Sequence, residues 1–250
     1  REIAHPGEFH ALMLFALTGL MLAVGTSHLL FLFVSLELAS LSLYLLAGFP
    51  RTARAAEASM KYFLFGGVSA SFMLFGLSLL YGFSQSAMLP VIGAKVGAEP
   101  EWLLSMTGLA MFLVGMAFKL AAAPFHYWAP DVYQGAPATS VALVAAASKV
   151  VGLFVLVRVL VTGFHAAAGS AAWGEMVVGW TLWLAVLAAV SMVFGNLLAL
   201  AQGGVRRLLA YSAVANTGYL LVGLCTNGHQ SIGAALFYVV VYGLATLGAL

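Results

Sequence analysis

The chain has 250 residues, of which 63% are hydrophobic and only 7% charged, and its mean hydropathy is +1.05. A soluble domain carries about 25% charged residues, so this composition excludes one. Ten Lys and Arg against eight Asp and Glu give a net charge of +2, too little and too dispersed for binding nucleic-acid phosphates. The single cysteine, Cys225, excludes an intrachain disulfide, a four-cysteine iron–sulfur site and a c-type haem attachment.

Apolar segments long enough to cross a bilayer, which takes about 20 helical residues, recur along the chain. We predict eight spans, approximately 10–26, 28–48, 59–82, 102–123, 140–162, 176–200, 208–224 and 232–250. Unpaired backbone amides are costly in lipid and the alternation of barrel strands is absent. The sequence therefore predicts an all-α, polytopic transmembrane helix bundle with a single domain over residues 1–250. Small residues that would allow close helix packing are Gly66, Gly67, Ala70, Gly76, Gly108, Gly115 and Ala145 to Ala147.

The loops on the two sides of this predicted bundle differ in charge. The side with the N-terminus and loops 49–58, 124–139 and 201–207 carries Arg1, Arg51, Arg54, Arg206 and Arg207. The opposite loops, 83–101, 163–175 and 225–231, carry Lys95, Glu99, Glu101 and Glu175. The positive-inside rule places the first side in the cytoplasm, and an aromatic belt is predicted on the other side from Trp102, Trp173 and Trp180. The absence of an initiator Met and the apolar last residues suggest a piece of a longer membrane protein.

Charged side chains deep within a span are costly and mark candidate functional sites. Glu37 lies about nine residues into its span, roughly 13 Å deep at 1.5 Å per residue, and Lys149 lies at a similar depth. Lys119 is nearer the cytoplasmic end of its span, five residues before Pro124. The alternative for these three residues is a structural ion pair that fixes helix register.

Two further cations, Lys61 and Arg158, lie near the ends of their predicted spans. Long basic side chains at such positions can extend their charged groups to the interface. Snorkelling therefore explains both cations without a function, although the depth of Lys61 leaves a functional role equally open.

The segment from Lys119 to Asp131 is the most distinctive stretch of the sequence. Pro124 is predicted to break or kink the helix just after Lys119, and half-helix ends hold ions in transporters. The carbonyl end of the first half-helix would stabilise a charged Lys119. His126 adds a group that titrates near neutral pH, and its alternative is an interfacial hydrogen-bonding residue like the neighbouring Tyr and Trp.

A glutamate and a lysine in the membrane can act together as a switch. Opposite charges ~4 Å apart attract by about 4 kcal/mol at an effective dielectric of ~20. Moving Glu37 towards or away from a buried lysine would therefore change whether that lysine holds its proton. Such a relay needs no metal, cofactor or nucleophile, and it transports protons rather than transforming a substrate.

Long motifs link this sequence to a known family. They are residues 35–46 (SLELASLSLYLL), 56–64 (AEASMKYFL), 117–119 (AFK), 123–137 (APFHYWAPDVYQGAP) and 206–212 (RRLLAYS). These motifs resemble the antiporter-like membrane subunits of NADH:quinone oxidoreductase, respiratory complex I, and DVYQGAP is most similar to the N-type branch. The resemblance covers nearly the whole chain.

The resemblance implies a proton-translocating, non-redox subunit in a bacterial inner membrane. It places the family's glutamate on Glu37, its pairing lysine on Lys61 or Lys119, and a further relay lysine on Lys149. It implies no cofactor in this chain, with NADH, FMN, iron–sulfur clusters and quinone in partner subunits. The expected partners are other membrane-arm subunits, the lipid bilayer and protons, with Na⁺ left open.

Two departures from the family pattern accompany the resemblance. Family members have about fourteen helices, including a second broken helix with a further charged residue, so this segment would not form a complete proton route. Asn216 stands where many relatives have a histidine, and an amide cannot titrate. The alternatives to the leading hypothesis are an Mrp-type Na⁺/H⁺ antiporter, against which the YQGAP stretch argues, and a structural membrane scaffold.

Overall fold

The computed structural model of the chain describes residues 5–98, 102–226 and 228–250, without the side chain of Trp102. Within these ranges all regular secondary structure is helical, apart from two isolated β-bridges. Eight of the described helices are long and apolar enough to cross a membrane, which confirms the predicted number of spans and the all-α bundle. Arg1, Glu99 and Glu101, from the predicted charge asymmetry, and the Trp102 side chain lie outside the described residues.

The helices follow one another with short connections. They are α1 (Pro6–Gly25), α2 (Leu29–Gly48), α3 (Ala53–Ser84), α4 (Leu89–Ala98), α5 (Trp102–Leu120), α6 (Trp128–Gly135), α7 (Ala138–Gly163), α8 (Trp180–Leu200), α9 (Val205–Cys225) and α10 (His229–Ala249). Helices α4 and α6 are too short to cross a bilayer, and the other eight are the spans. Helix α7 contains π-helical turns at Leu143–Ser148 and Val159–Gly163.

Two regions differ from the prediction. Residues 83–101 were expected to be a loop, yet they contain the amphipathic α4, whose length hides it from a search for membrane spans. The sixth span begins at Trp180 rather than near residue 176, because Ser170 and Val177 pair as an antiparallel bridge. The indole of Trp180 donates a hydrogen bond to the Phe164 carbonyl at 2.8 Å, which fixes the start of α8 against the end of α7.

Small residues let the long helices approach closely. Helix α3 packs along α5, and a Cβ added at Gly76 would lie 2.5 Å from the Gly108 carbonyl oxygen. Gly67, also on α3, faces open space within 4 Å. The expected role of small residues in packing therefore holds for Gly76 and Gly108, while Gly67 contributes nothing to it.

Helix α7 lies at the centre of the arrangement and contacts α1, α2, α5 and α10, while α6 is wedged between α3 and α9. Arg158, near the end of α7, reaches the C-terminal end of α1. Its guanidinium donates to the carbonyls of Val24 and Thr26, the latter at 3.0 Å. A cation at a helix C-terminus satisfies its last carbonyls and its dipole, so Arg158 joins α7 to the end of α1.

Candidate functional site

The break predicted at Pro124 begins earlier, since α5 ends at Leu120 rather than at residue 123. Ala121 has a left-handed backbone, with φ at 57°. The N–H of Ala121 donates to the Phe118 carbonyl at 3.0 Å, and the N–H of Ala122 donates to the Ala117 carbonyl at 2.8 Å. These two bonds form the C-terminal motif that usually contains glycine at the left-handed position. The helix therefore terminates beside Lys119, and an alanine bears the strain of the turn.

Side chains from other helices bind the backbone groups that the break exposes. The hydroxyl of Ser191, on α8, accepts the N–H of Ala123 at 2.9 Å. The indole N–H of Trp128, on α6, donates to the Phe118 carbonyl at 3.1 Å. Unpaired backbone groups in lipid each cost several kcal/mol, so these two contacts hold the break in one conformation.

Lys119 reaches from the end of α5 to the middle of α2. Its ammonium donates to the Ser40 hydroxyl at 2.6 Å and to the Leu36 carbonyl at 3.1 Å. Glu37 lies on the same turn of α2 and interacts electrostatically with Lys119. Their charged atoms form no ion pair within 4.0 Å in the described part of the chain. The structure thus places Lys119 against the turn of α2 that carries both Glu37 and Ser40, and Ser40 is the residue that binds the ammonium.

Lys149 occupies a second buried position directly after the π-helical turn of α7, and only 3% of it is exposed. Its ammonium donates to the Ala213 carbonyl at 2.5 Å and to the Thr217 hydroxyl at 3.0 Å, both on α9. The ammonium also lies 5.7 Å from the centre of the Tyr242 ring, a cation–π distance. Lys149, like Lys119, is therefore held by one hydroxyl and one backbone carbonyl.

Lys61 lies apart from Lys119 and Lys149, near the start of α3. Its ammonium contacts Asp131 of α6 at 2.8 Å and Glu57, one turn away, at 2.7 Å. Arg207, at the start of α9, approaches the same Asp131 at 3.9 Å. Of the two lysines that the resemblance offers to Glu37, Lys119 is the one that interacts with it, and Lys61 belongs to an ion cluster joining α3, α6 and α9.

His126 lies between the halves of the broken helix and is 2% exposed. Its ring stacks on Tyr127 with centroids 4.7 Å apart, and the Tyr211 ring meets it edge-on. Neither ring nitrogen has a hydrogen-bond partner in the described part of the chain. His126 is thus a buried titratable group at the break, and no described residue satisfies its ring nitrogens by hydrogen bonding.

Comparison with known proteins identifies the family of this chain. The profile described as NADH:quinone oxidoreductase/Mrp antiporter, TM, matches residues 26–250. The chain belongs to this family. It is 51% identical over 246 residues to "NADH-quinone oxidoreductase subunit N 2" of Acidobacterium capsulatum, an alignment that covers 98% of this chain and 49% of the relative. This chain therefore spans about half the length of the curated relatives it matches.

Solved structures of the NADH:quinone oxidoreductase/Mrp antiporter family have the same fold. A chain of respiratory complex I from Thermus thermophilus with bound aureothin superposes with a TM-score of 0.81 at 41% identity, covering 97% of this chain and 50% of that one. A chain of the Mrp complex from Dietzia superposes with a TM-score of 0.84 at 22% identity, covering 94% and 42%. Because its identity to this chain is only 22%, the Mrp chain shows a shared fold and nothing about function.

Within this member of the family, Asn216 takes a structural position on α9. Its amide donates to the Ser212 carbonyl at 2.8 Å, and its oxygen accepts from the Tyr238 hydroxyl of α10. The amide therefore connects α9 to α10. In the described residues no group of three or more His, Cys, Asp or Glu side chains could hold a metal ion.

Sequence reasoning missed the hydroxyls that bind the two lysines. Ser40 lies three residues after Glu37, which on a helix places both on one side, so this spacing was a usable signal. Thr217 has no such signal, because it lies 68 residues from Lys149 in sequence. Asp131 stood in the motif that carried the resemblance, but its ion pair with Lys61 appears only in the fold.

Proposed function

We propose that this chain is part of a proton-translocating, non-redox membrane-arm subunit, N-type, of an NADH:quinone oxidoreductase. The observation that carries the proposal is the set of Glu37, Lys119 and Lys149 within the helix bundle, of which Lys149 is buried and the other two are half-buried. Both lysines are bound by neutral acceptors rather than by carboxylates. A lysine so bound is not locked in a salt bridge. The names of the relatives with the highest identities above support the assignment to this complex.

The proposed mechanism is a transfer of protons along these side chains. Glu37 and Lys119 form the switching pair, because movement of the carboxylate towards or away from the ammonium changes how strongly the lysine holds its proton. Lys149 accepts the proton on the far side of the break. Lys61, in its cluster with Asp131, and His126 are proposed as further relay groups nearer the cytoplasmic surface.

The surroundings of the chain follow from the same proposal. Other membrane-arm subunits of the complex would bind it, and NADH, FMN, iron–sulfur clusters and quinone would act in partner subunits, with no cofactor in this chain. We place it as a multi-pass protein in the bacterial inner membrane, with the N-terminus of this segment on the cytoplasmic side. The transported ion is proposed to be H⁺, and transport of Na⁺ is the alternative that an Mrp-type function would give.

The proposal is tested with the full chain assembled in its complex, in inverted membrane vesicles supplied with NADH. Glu37→Gln, Lys119→Ala and Lys149→Ala should each lower the rate of NADH-driven proton uptake by about tenfold or more, because each removes a group that holds a proton or controls its transfer in the proposed relay. The matched control is Glu8→Gln, an exposed carboxylate on α1, which should pump at the wild-type rate.

Two outcomes would overturn the proposal. Proton uptake at the wild-type rate in the Lys119→Ala variant would leave these charges a structural role only. Transport that requires Na⁺ and proceeds without NADH would instead favour the antiporter alternative. Proton uptake that stays unchanged when Na⁺ is replaced by K⁺ is the expected result.

A further inference from the structure

Thr217 is a fully buried residue of α9, with 0% exposure, whose side chain contacts two other helices. Its hydroxyl accepts a hydrogen bond from the Lys149 ammonium of α7 at 3.0 Å. It also lies 2.7 Å from the Leu120 carbonyl, at the end of α5, and 2.9 Å from the Ala213 carbonyl on its own helix. One hydroxyl thus lies between Lys149 and the break that follows Lys119.

The number of donors decides which of these contacts the hydroxyl makes. A threonine hydroxyl donates one hydrogen bond and can accept two. The Ala213 carbonyl already accepts from Lys149 at 2.5 Å. The hydroxyl therefore donates its one hydrogen bond to the Leu120 carbonyl, which is the shorter contact. Its oxygen accepts a hydrogen bond from Lys149.

The Leu120 carbonyl needs such a donor because it belongs to the last turn of α5. The last four carbonyls of a helix have no partner within that helix, and in lipid each unpaired one is costly. The N–H groups of Ala121 and Ala122 bind the carbonyls of Phe118 and Ala117 instead. Thr217 therefore caps the end of α5 from a neighbouring helix.

The backbone around Thr217 is fixed by close packing. A Cβ added at the next residue, Gly218, would lie 2.8 Å from the Ala188 carbonyl oxygen of α8. Across the lysine, a Cβ added at Gly152 would lie 3.1 Å from the Leu120 side chain. α9 therefore packs closely against α8, and α7 packs against the end of α5, on the two sides of the Thr217 hydroxyl.

We propose that Thr217 is a positioning residue for Lys149, whose hydroxyl fixes the ammonium relative to the carbonyl end of α5. A change at the break beside Lys119 thereby reaches Lys149 through one hydrogen-bonded atom. This inference rests on the proposed role of Lys149 in proton transfer.

Thr217→Val keeps the shape of the side chain and removes the hydroxyl. The Leu120 carbonyl then loses its cap and Lys149 keeps only the Ala213 carbonyl, so proton uptake per assembled complex should fall about tenfold, the effect of one hydrogen bond to a charged group. Thr217→Ser retains the hydroxyl and should pump within about twofold of the wild type.

The matched control is Thr181→Val. Thr181 is a buried threonine on α8, 1% exposed, and its hydroxyl donates to the Ala168 carbonyl at 2.7 Å. This variant should pump at the wild-type rate. If it loses as much as Thr217→Val, the effect belongs to buried threonines in general and the positioning role is wrong.

The measurement is NADH-driven proton uptake in inverted vesicles containing the full chain in its complex, divided by the amount of assembled complex. Wild-type uptake in Thr217→Val would overturn the inference. Uptake in Thr217→Ser as low as that expected for Thr217→Val would overturn it too. If Thr217→Val does not assemble, Thr217→Cys replaces it, because a thiol is close in size to a serine hydroxyl but hydrogen-bonds weakly. Uptake in the cysteine variant equal to that in the serine variant would then overturn the inference.

Lys119→Ala and Lys149→Ala, measured in parallel, separate this inference from the proposed function. If both lysine variants pump normally, the proton-transfer role itself is wrong. If both lose uptake while Thr217→Val pumps normally, the proton-transfer role stands and only the positioning role of Thr217 is wrong.

Discussion

A lysine ammonium has three N–H donors, and inside a membrane the protein must supply most of their acceptors. Lys119 has two acceptors, Ser40 and the Leu36 carbonyl, and Lys149 has the Ala213 carbonyl and Thr217, with the Tyr242 ring nearby. One N–H of each ammonium therefore points to no acceptor in the described part of the chain. Neutral acceptors hold the nitrogen in place, and the remaining N–H is available to pass a proton on.

Ser40→Ala tests this arrangement at Lys119. The substitution removes the closer of its two acceptors, at 2.6 Å, so proton uptake by the assembled complex should fall about tenfold, as expected for a hydrogen bond to a charged group. Ser42→Ala is the control. Ser42 is as buried as Ser40, at 5% exposure, but its hydroxyl donates only to the Leu38 carbonyl of its own helix. Equal uptake in the two variants would show that Ser40 does not serve Lys119.

Depth along the sequence was sufficient to find the charges, but not their partners. Glu37 and Lys149 stand out because each lies near the middle of an apolar span. The ion pair of Lys61 joins residues 70 positions apart, and only the packing of α6 against α3 creates it. Serine and threonine are common in packed membrane helices. Ser40 is marked in the sequence only by its spacing from Glu37, and nothing in the sequence distinguishes Thr217 from a hydroxyl such as that of Thr246.

Among the helices, the paired spans α3 and α5 set the position of Lys119. Their backbones approach where Gly76 faces Gly108. This contact fixes α5 against α3, and the break lies at the C-terminal end of α5. Apolar length alone predicted both spans. The end of α5 could not be predicted as well, because the left-handed turn falls on Ala121, a residue type that gives no signal for such a turn.

Gly76→Val should separate these two helices. The new Cβ would lie 2.5 Å from the Gly108 carbonyl oxygen, which is backbone and cannot move aside. Overpacking of this kind destabilises by about 1–3 kcal/mol, so the purified complex should lose this subunit at a lower temperature. Gly67→Val, on the same helix with no atom within 4 Å of its added Cβ, controls for the change in helix propensity. A thermal midpoint that is the same in both variants would contradict the importance of the contact.

Across the whole molecule, the arginines and the break lie towards one end of the bundle. The turns that join α2 to α3 and α8 to α9 carry or adjoin Arg51, Arg54, Arg206 and Arg207. At the other end, the described connections between spans carry Lys95, on the short helix α4, and Glu175. The ion cluster of Lys61 with Asp131 lies at the arginine end, near the starts of α3 and α9. If that end faces the cytoplasm, protons entering there meet Lys61 and His126 before they reach the deeper lysines.

The orientation can be tested with single cysteines and a membrane-impermeant maleimide. Cys225→Ser supplies the cysteine-free background, since the Cys225 thiol donates its hydrogen bond to the Leu221 carbonyl of its own helix, a bond that serine also makes. Gly203→Cys, exposed in the turn before α9, should react in inverted vesicles and be protected in intact spheroplasts. Ala172→Cys, exposed in the loop before α8, should do the opposite. Reactivity of Gly203→Cys in spheroplasts would show that the positive-inside rule fails for this segment and that the predicted orientation is reversed. Protons entering from the cytoplasm would then not meet Lys61 first.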